Sequence, residues 1–350
     1  MRMQLKNLSV VETKPPGKAE RRTVSLAERD LVRQGQIVEG SSLPLLFQPG
    51  VNHVDLLAWS MANRQQIDTL LLKHGAILFR GFDINIDGFR QLMTSVAGEL
   101  LPYHERSSPR KAVGGNIYTS TEYPPHLSIF PHNENSYAQS WPMKLAFHCV
   151  IPATEGGDTP IADVRRVYQN ISPGIRECFA EKGWMLVRNF GDGAGLPWQE
   201  VFQTSDKAVV EAHCREHAIS CEWKSGNRLR TRQLRQAIAR HPLTGEMVWF
   251  NHATFFHVST LDPAISELLR EEFAEEDFPN NTYYGDGTAI EPSVLTELRA
   301  AYQEELVRFS WQQGDVLLLD NMLTAHGRAP FKGVRKILVG MAEPSSNRNL

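Results

Sequence analysis

Three side chains in this sequence have the types and spacing to hold a metal ion. In Pro131-His132-Asn133-Glu134, an imidazole and a carboxylate stand two residues apart. On an extended strand, residues i and i+2 share a face, so both groups can reach one ion. Far downstream, Gly314-Asp315-Val316-Leu317-Leu318-Leu319-Asp320-Asn321 reads as a buried strand ending in a turn, and His326-Gly327 comes six residues after Asp320. Two histidines and one carboxylate on one face leave three positions open on an octahedral ion, as non-haem Fe(II) needs to take a bidentate keto acid and then O2. Zinc would suit the same donors, so ligand identity alone does not choose the metal. A bare His-x-Glu is also weak. In a chain with 12 histidines it arises by chance, as a surface-strand His beside a solvated Glu.

The surrounding elements must supply a rigid frame. Val54, Leu56, Leu57, Trp59, Met61, Ile67, Leu70 and Leu71 recur at helical spacing, and Gly75 ends that run. A short apolar strand, 76–79, and an amphipathic helix, 89–97, complete an N-terminal α/β unit. From about residue 117 the texture changes to short β-branched and aromatic runs, with strands expected at 143–151, 247–250, 316–319 and 335–341. Between them, roughly 164–305, lie helical stretches such as 266–276 and 292–306. Strands before and after a long insertion suggest one β-sandwich whose halves are separated in sequence. Residues 1–40, polar and carrying Pro15-Pro16-Gly17, read as a flexible arm, and 41–350 as a single domain with a helical, lid-like insertion.

Composition sets limits on partners. With 350 residues, 41% hydrophobic and 22% charged, the chain is an ordinary globular one, and a net charge of -3 gives no field to draw it onto nucleic acid or an anionic membrane. No apolar run reaches the ~18–20 residues of a membrane helix. Four cysteines without CxxC spacing fit reduced thiols in a cytoplasmic protein better than a disulfide framework.

Read together, the motifs are recognisable. His132-Asn133-Glu134, Trp141-Pro142, Gly156-Gly157-Asp158-Thr159-Pro160, and the C-terminal Gly314-Asp315, Asp320-Asn321, His326-Gly327-Arg328, Phe331 and Arg335 resemble the taurine dioxygenase-like oxygenases in type and order. The resemblance spans roughly 43–343 and includes Gly75-Ala76-Ile77-Leu78-Phe79-Arg80-Gly81-Phe82. Within the family, the chain is similar to the syringomycin-type amino-acid β-hydroxylases of natural-product and antibiotic biosynthesis. The resemblance implies a mainly β fold with α, a double-stranded β-helix (jelly-roll) core. It also implies Fe(II), 2-oxoglutarate as cosubstrate, O2, and release of succinate and CO2. His132, Glu134 and His326 match the iron ligands, Arg335 the arginine that pairs with the distal carboxylate of 2-oxoglutarate, and Thr159 the threonine that assists it. The physics agrees, since a planar guanidinium holds a carboxylate bidentately and a buried anion needs such a partner. Related halogenases have Gly or Ala where this chain has Glu134, so the retained carboxylate favours hydroxylation, or desaturation, over halogenation.

Other residues are open to two readings. Arg328 is placed to touch the cosubstrate or the substrate carboxylate, or else to brace its turn. Asn251 could line the cavity or cap its own loop. Tyr118, Thr119, Ser120 and Glu122 precede the metal strand and could wall the substrate pocket. Arg230 and Arg232, in the arginine-rich stretch 224–240, could grip a substrate carboxylate or an acidic peptidyl carrier protein, or form a solvated face. His213 and His217 have the i,i+4 spacing of a zinc pair but no evident third ligand, so a solvated helix face is expected. The substrate expected is a small amino-acid-type molecule, free or carrier-bound, and the oligomeric state is open. A non-catalytic metal-binding jelly-roll or sensor should have lost a ligand or the cosubstrate arginine. A zinc hydrolase would not need the Thr159/Arg335 pair. Neither fits as well.

Overall fold

Alternation along a few short strands lets one sheet serve two cores. The computed structural model describes residues 31–102, 110–191 and 195–347. An eight-stranded sheet runs in the order Val32–Gln36, Leu45–Pro49, Ala76–Phe79, Val316–Asp320, Ser140–Ile151, Lys336–Ser346, Ile117–Thr119, Ala112–Gly114. Ile77, Phe79, Val316, Leu318 and Leu338 point to one side, where they pack with Leu56, Trp59, Ile67, Leu71, Phe89 and Leu92 from the helices Leu56–Ala62, Arg64–His74 and Ile86–Ala97. Their neighbours Ala76, Leu78, Leu317, Leu319, Ile337 and Val339 turn the other way and pack with Ile161 and Trp311. The period of two thus separates a helix-facing layer from a sandwich interior.

The second sheet of the sandwich has three strands, in the order Ile129–His132, Thr324–Arg328, Ile161–Asp163. It is the smaller sheet, and it carries the histidines of interest. Gly75 connects the two layers. It ends its helix at φ 78°, and its carbonyl accepts bonds from Asp320 N (3.0 Å) and Thr324 Oγ1 (2.8 Å). A Cβ at Gly75 would stand 2.5 Å from Thr324 Oγ1, so both the conformation and the approach require glycine.

Three sequence expectations need correcting. The single helix expected from 54 to 71 is two, because Asn63 interrupts it. Residues 1–30 of the expected arm lie outside the described residues, but Val32–Gln36 is an edge strand paired with Leu45–Pro49. The insertion 164–305 carries the expected helices, among them Pro263–Glu272 and Pro292–Glu304, but not helices alone. It also carries a four-stranded sheet, ordered Ile219–Lys224, Arg228–Arg235, Trp184–Phe190, Asn280–Tyr284, and a hairpin of Ile238–Arg240 with Met247–Trp249. Of the two readings of the arginine-rich run, the solvated face does not hold for Arg230 and Arg235, which are buried against Asn189, Asp277 and the Tyr137 carbonyl. Among the described residues, no helix is long and apolar enough to cross a membrane.

A buried ion pair joins the two ends of the resemblance. Arg80 Nη2 donates to Asp315 Oδ2 at 2.6 Å and to Ser310 O at 2.7 Å, while Arg80 Nε donates to both Asp315 oxygens. Asp315 is fully buried and Arg80 is 9% exposed. Removing one member strands the other without water, which costs ~3–5 kcal/mol. Arg80→Ala and Asp315→Ala should each lower the unfolding free energy obtained from denaturant titration by about that much, and the double variant should cost clearly less than their sum. Additive losses would show that the two groups do not depend on each other.

Candidate metal centre

The two histidines meet through strand register. His326 is the direct antiparallel partner of His132, with the rings 4.6 Å apart. The pairing shifts by a residue between His326 and Arg328, a bulge that falls at Pro131, which has no N–H to give a ladder. Gly327 belongs to the same feature, since a Cβ there would lie 2.6 Å from Ile129 O. Glu134 follows the strand end, and its backbone is fixed from outside. Glu134 N donates to Asn321 Oδ1 at 2.8 Å, and Asn321 Nδ2 donates to Glu134 O (2.9 Å) and Pro142 O (2.8 Å). Asn133 Nδ2 completes the clamp by donating to Asn321 O. Asp320 sets the same turn, accepting from Met322 N and Leu323 N and meeting His241 Nε2 at 3.1 Å.

The result is a tight donor set. One ligand atom from each of His132, Glu134 and His326 lies within 4.8 Å of the others, and no other group of three such ligands occurs among the described residues. His132 Nδ1 bonds Phe130 O at 2.9 Å, so as the donor it leaves Nε2 to face an ion. Burial lowers the proton affinity of His132 and pushes His326 well below its usual range, so both rings are neutral ligands at neutral pH. Phe147 from the large sheet packs 5.0 Å from His326, and Phe255 packs 4.5 Å from His132. Two imidazoles and a carboxylate so confined fit Fe(II), with coordination positions left over.

Arg335 and Thr159 line the same cavity as both histidines. Arg335 Nε donates to Gly157 O at 2.8 Å, and its Nη2 lies 3.4 Å from Thr159 Oγ1. Burial and the neighbouring Arg328 pull Arg335 down to about 10, which leaves it cationic in a setting where an anion would be welcome. Arg328 also lines the cavity, but its guanidinium donates to three carbonyls, of Tyr123, Pro124 and Leu127. It braces the turn. Ser120 borders the metal-facing cavity, whereas Glu122 sits at the outer rim paired with exposed Lys111, and Tyr118 packs in the core.

The remaining candidates lie elsewhere. Asn251 is buried and holds its own loop, donating to Ala237 O and accepting from Ala253 N. Arg230 bonds Asn189 Oδ1 and Asp277, and Arg232 pairs on the surface with Glu222. Neither arginine lines the metal cavity. His213 and His217 stack at 4.0 Å beside a separate cavity of mixed lining. Sequence reasoning missed Arg110, whose Nη2 donates to Glu134 Oε2 at 2.7 Å. No local period marks such a contact. It also passed over Asn321 as a clamp, although that residue stands in the quoted motif.

Comparison with known sequences decides the family. Residues 40–342 match the family described as "Taurine catabolism dioxygenase TauD, TfdA family". This chain belongs to it. Membership brings the Fe(II), 2-oxoglutarate and O2 that the motifs implied. The chain is 42% identical over 304 residues to the dapdiamide synthesis protein DdaC of Enterobacter agglomerans, covering 84% of this chain and 92% of that one. It is 28% identical over 331 residues to a clavaminate synthase-like protein of Arabidopsis thaliana, covering 89% and 97%. Among solved structures it is similar to PvcB from Pseudomonas aeruginosa, with a TM-score of 0.52, 16% identity, and coverage of 91% and 92%. That likeness supports the fold, a jelly-roll core.

Asn321 offers a direct check on how the site is assembled. Asn321→Ala leaves buried backbone groups of Glu134 and Pro142 unpaired, which should lower stability by about 2–4 kcal/mol. Loosening an outer-shell support typically weakens metal binding by roughly 10–100-fold. Competitive titration with Co(II) should read that loss in protein that is still folded, and an unchanged Co(II) affinity would mean that Glu134 holds its place without the clamp.

Proposed function

We propose that this dioxygenase hydroxylates an aliphatic carbon of an amino acid, or of an amino-acid-derived substrate, in secondary metabolism. The observation that carries the reading is one cavity lined by His132, His326, Thr159 and Arg335, with Glu134 behind it. Bound Fe(II) with 2-oxoglutarate supplies the activation of O2, yielding succinate and CO2. The residues do the rest. His132, Glu134 and His326 hold the ion. Arg335 and Thr159 orient the cosubstrate by its distal carboxylate. Phe147 and Phe255 keep the ligand rings dry and fixed. Glu134 keeps the coordination position that a halide would need, in favour of hydroxylation.

The assignment to secondary metabolism is supported by the likeness to DdaC, a dapdiamide synthesis protein, and to PvcB, described as an Fe, alpha-ketoglutarate dependent oxygenase from an isonitrile synthetic pathway. The substrate's bulk has room beside the metal. A cavity of about 480 Å³, lined by Phe255, Phe256, Leu261, Leu269, Ile129 and Tyr123 among others, shares Thr121 and Ile129 with the metal cavity. A peptidyl carrier would find little free cationic surface on the strand Arg228–Arg235, where Arg230 is buried against Asp277 and Arg232 is paired with Glu222.

Two measurements test this reading. Anaerobic addition of 2-oxoglutarate to the Fe(II) protein should produce a weak visible metal-to-ligand charge-transfer band, and candidate amino acids, free and carrier-loaded, should gain one oxygen atom by mass spectrometry. Arg335→Ala should raise the 2-oxoglutarate concentration needed for half the band by roughly 100-fold, since a buried carboxylate loses its partner. If the requirement stays the same, the cosubstrate is clamped by another group.

A further inference from the structure

The neighbours of the Thr159 hydroxyl settle what it can do. Trp311 Nε1 donates to Thr159 Oγ1 at 3.1 Å, in a contact buried from water, and Arg335 Nη2 approaches the same oxygen at 3.4 Å. An indole N–H and a guanidinium can only donate, so together they engage both lone pairs of that oxygen. Its one proton is left to point into the cavity that Thr159 shares with Arg335 and the two histidines. The backbone around it is fixed as well. Asp158 O accepts from Ala329 N at 3.0 Å, and Pro160 O accepts from Gly327 N at 2.8 Å.

Trp311 does not line that cavity, yet its own place is closely specified. It is buried in the sandwich interior, and the residues on both sides of it are tied to the buried ion pair. Arg80 Nη2 donates to Ser310 O at 2.7 Å, and Gln312 N donates to Asp315 Oδ2 at 2.8 Å. Phe309 packs edge-on to the indole at 5.5 Å and lies beneath the Arg80 guanidinium. Through one turn and one indole, the ion pair thus fixes the direction of a hydroxyl in the cavity. Arg335 and Thr159 then present donors, and no acceptor, to whatever binds between them. An ionised carboxylate only accepts and satisfies both. A carboxamide does not, because its N–H bonds must face either the guanidinium or the hydroxyl proton.

We propose that Trp311 is a positioning residue for the cosubstrate: its indole N–H holds Thr159 as a donor and so tunes the distal end of the site to an ionised carboxylate and against a carboxamide. This rests on the oxygenase reading above, in which Arg335 and Thr159 receive that carboxylate. Without the indole N–H, one lone pair of Thr159 Oγ1 is released and the hydroxyl can rotate. It can then accept from a carboxamide while Arg335 donates to the amide oxygen. Loss of a single donor outside the cavity therefore weakens the acid and spares the amide.

The test does not require the primary substrate. Protein loaded with Co(II) is titrated with N-oxalylglycine and, separately, with N-oxalylglycinamide, and the visible Co(II) bands are followed. Wild type should prefer the acid by at least about tenfold. Trp311→Phe should weaken the acid by roughly tenfold, the scale of one hydrogen bond to a charged group, and leave the amide unchanged or tighter. Its Co(II) affinity should stay within a few-fold of wild type, which also shows that it folds. Phenylalanine removes ring volume as well, so Trp311→benzothienylalanine, which keeps the bicyclic shape and lacks the N–H, should give the same result. In a Thr159→Val background neither change at Trp311 should have a further effect, because both act through that one hydroxyl. An equal loss for acid and amide, or a loss that persists beside Thr159→Val, would overturn the proposal and reduce Trp311 to packing. So would binding of both ligands as in wild type once the N–H is gone. Each of these leaves the oxygenase reading intact, whereas failure of wild type to bind N-oxalylglycine at all would defeat that reading, and this proposal with it.

Discussion

Two strands in one register decide where every ligand stands. His326 meets the other two donors because it lies opposite His132, and a slip of one residue would present Ala325 or Gly327 in its place and turn the imidazole to the other face. Several features resist that slip at once. The bulge at Pro131 fixes the offset, Gly327 admits the Ile129 carbonyl, and Asn321 ties the backbone of Glu134 to the turn that leads into the second strand. The carboxylate is therefore positioned through the same turn that delivers the distal histidine, so the three donors move as a unit.

The insertion is part of this arrangement rather than a separate body. Trp184, Trp249 and Phe250 from the insertion share one buried cluster with Ala162, Met322, Leu323 and Ala325 from around the smaller sheet. Phe255 extends that packing to the His132 ring, while Phe147 approaches His326 from the larger sheet. Each imidazole thus has an aromatic wall from a different layer. Their dryness, and hence their neutral state, is a property of the whole sandwich.

Much of this could be read from the residues alone, for a physical reason. Sheets leave a period of two in the sequence, and Leu317 with Leu319 display it; His132 and Glu134 share that spacing, but Glu134 stands past the strand end and is held by Asn321. The jelly-roll was legible from the order of the family's motifs, and the same motifs pointed to the three groups that the fold brings together, His132, Glu134 and His326. What escaped was the pairing of charges across space. Arg230 looks solvated until Asp277 and Asn189 are brought to it, and Arg328 looks like a ligand-binding group until three carbonyls close around it. Arg110 has no periodic neighbours to announce it. The strand Val32–Gln36 was equally silent, since Val-Arg-Gln-Gly-Gln has little strand character and is extended because Leu45–Pro49 pairs with it.

The sheet order also governs when the protein can first work. Ala76–Phe79 takes Val316–Asp320 as its antiparallel neighbour, and Ser140–Ile151 lies between that strand and Lys336–Ser346. A chain emerging from the ribosome therefore releases Ala76–Phe79 with only Leu45–Pro49 to pair with, and Ser140–Ile151 with neither of its neighbours in the larger sheet. Until the last strands appear, those edges are exposed to aggregation and to chaperones. His326 and the Asn321 clamp come with the later strands, so the three donors meet only after Val316–Asp320 and Thr324–Arg328 have been made.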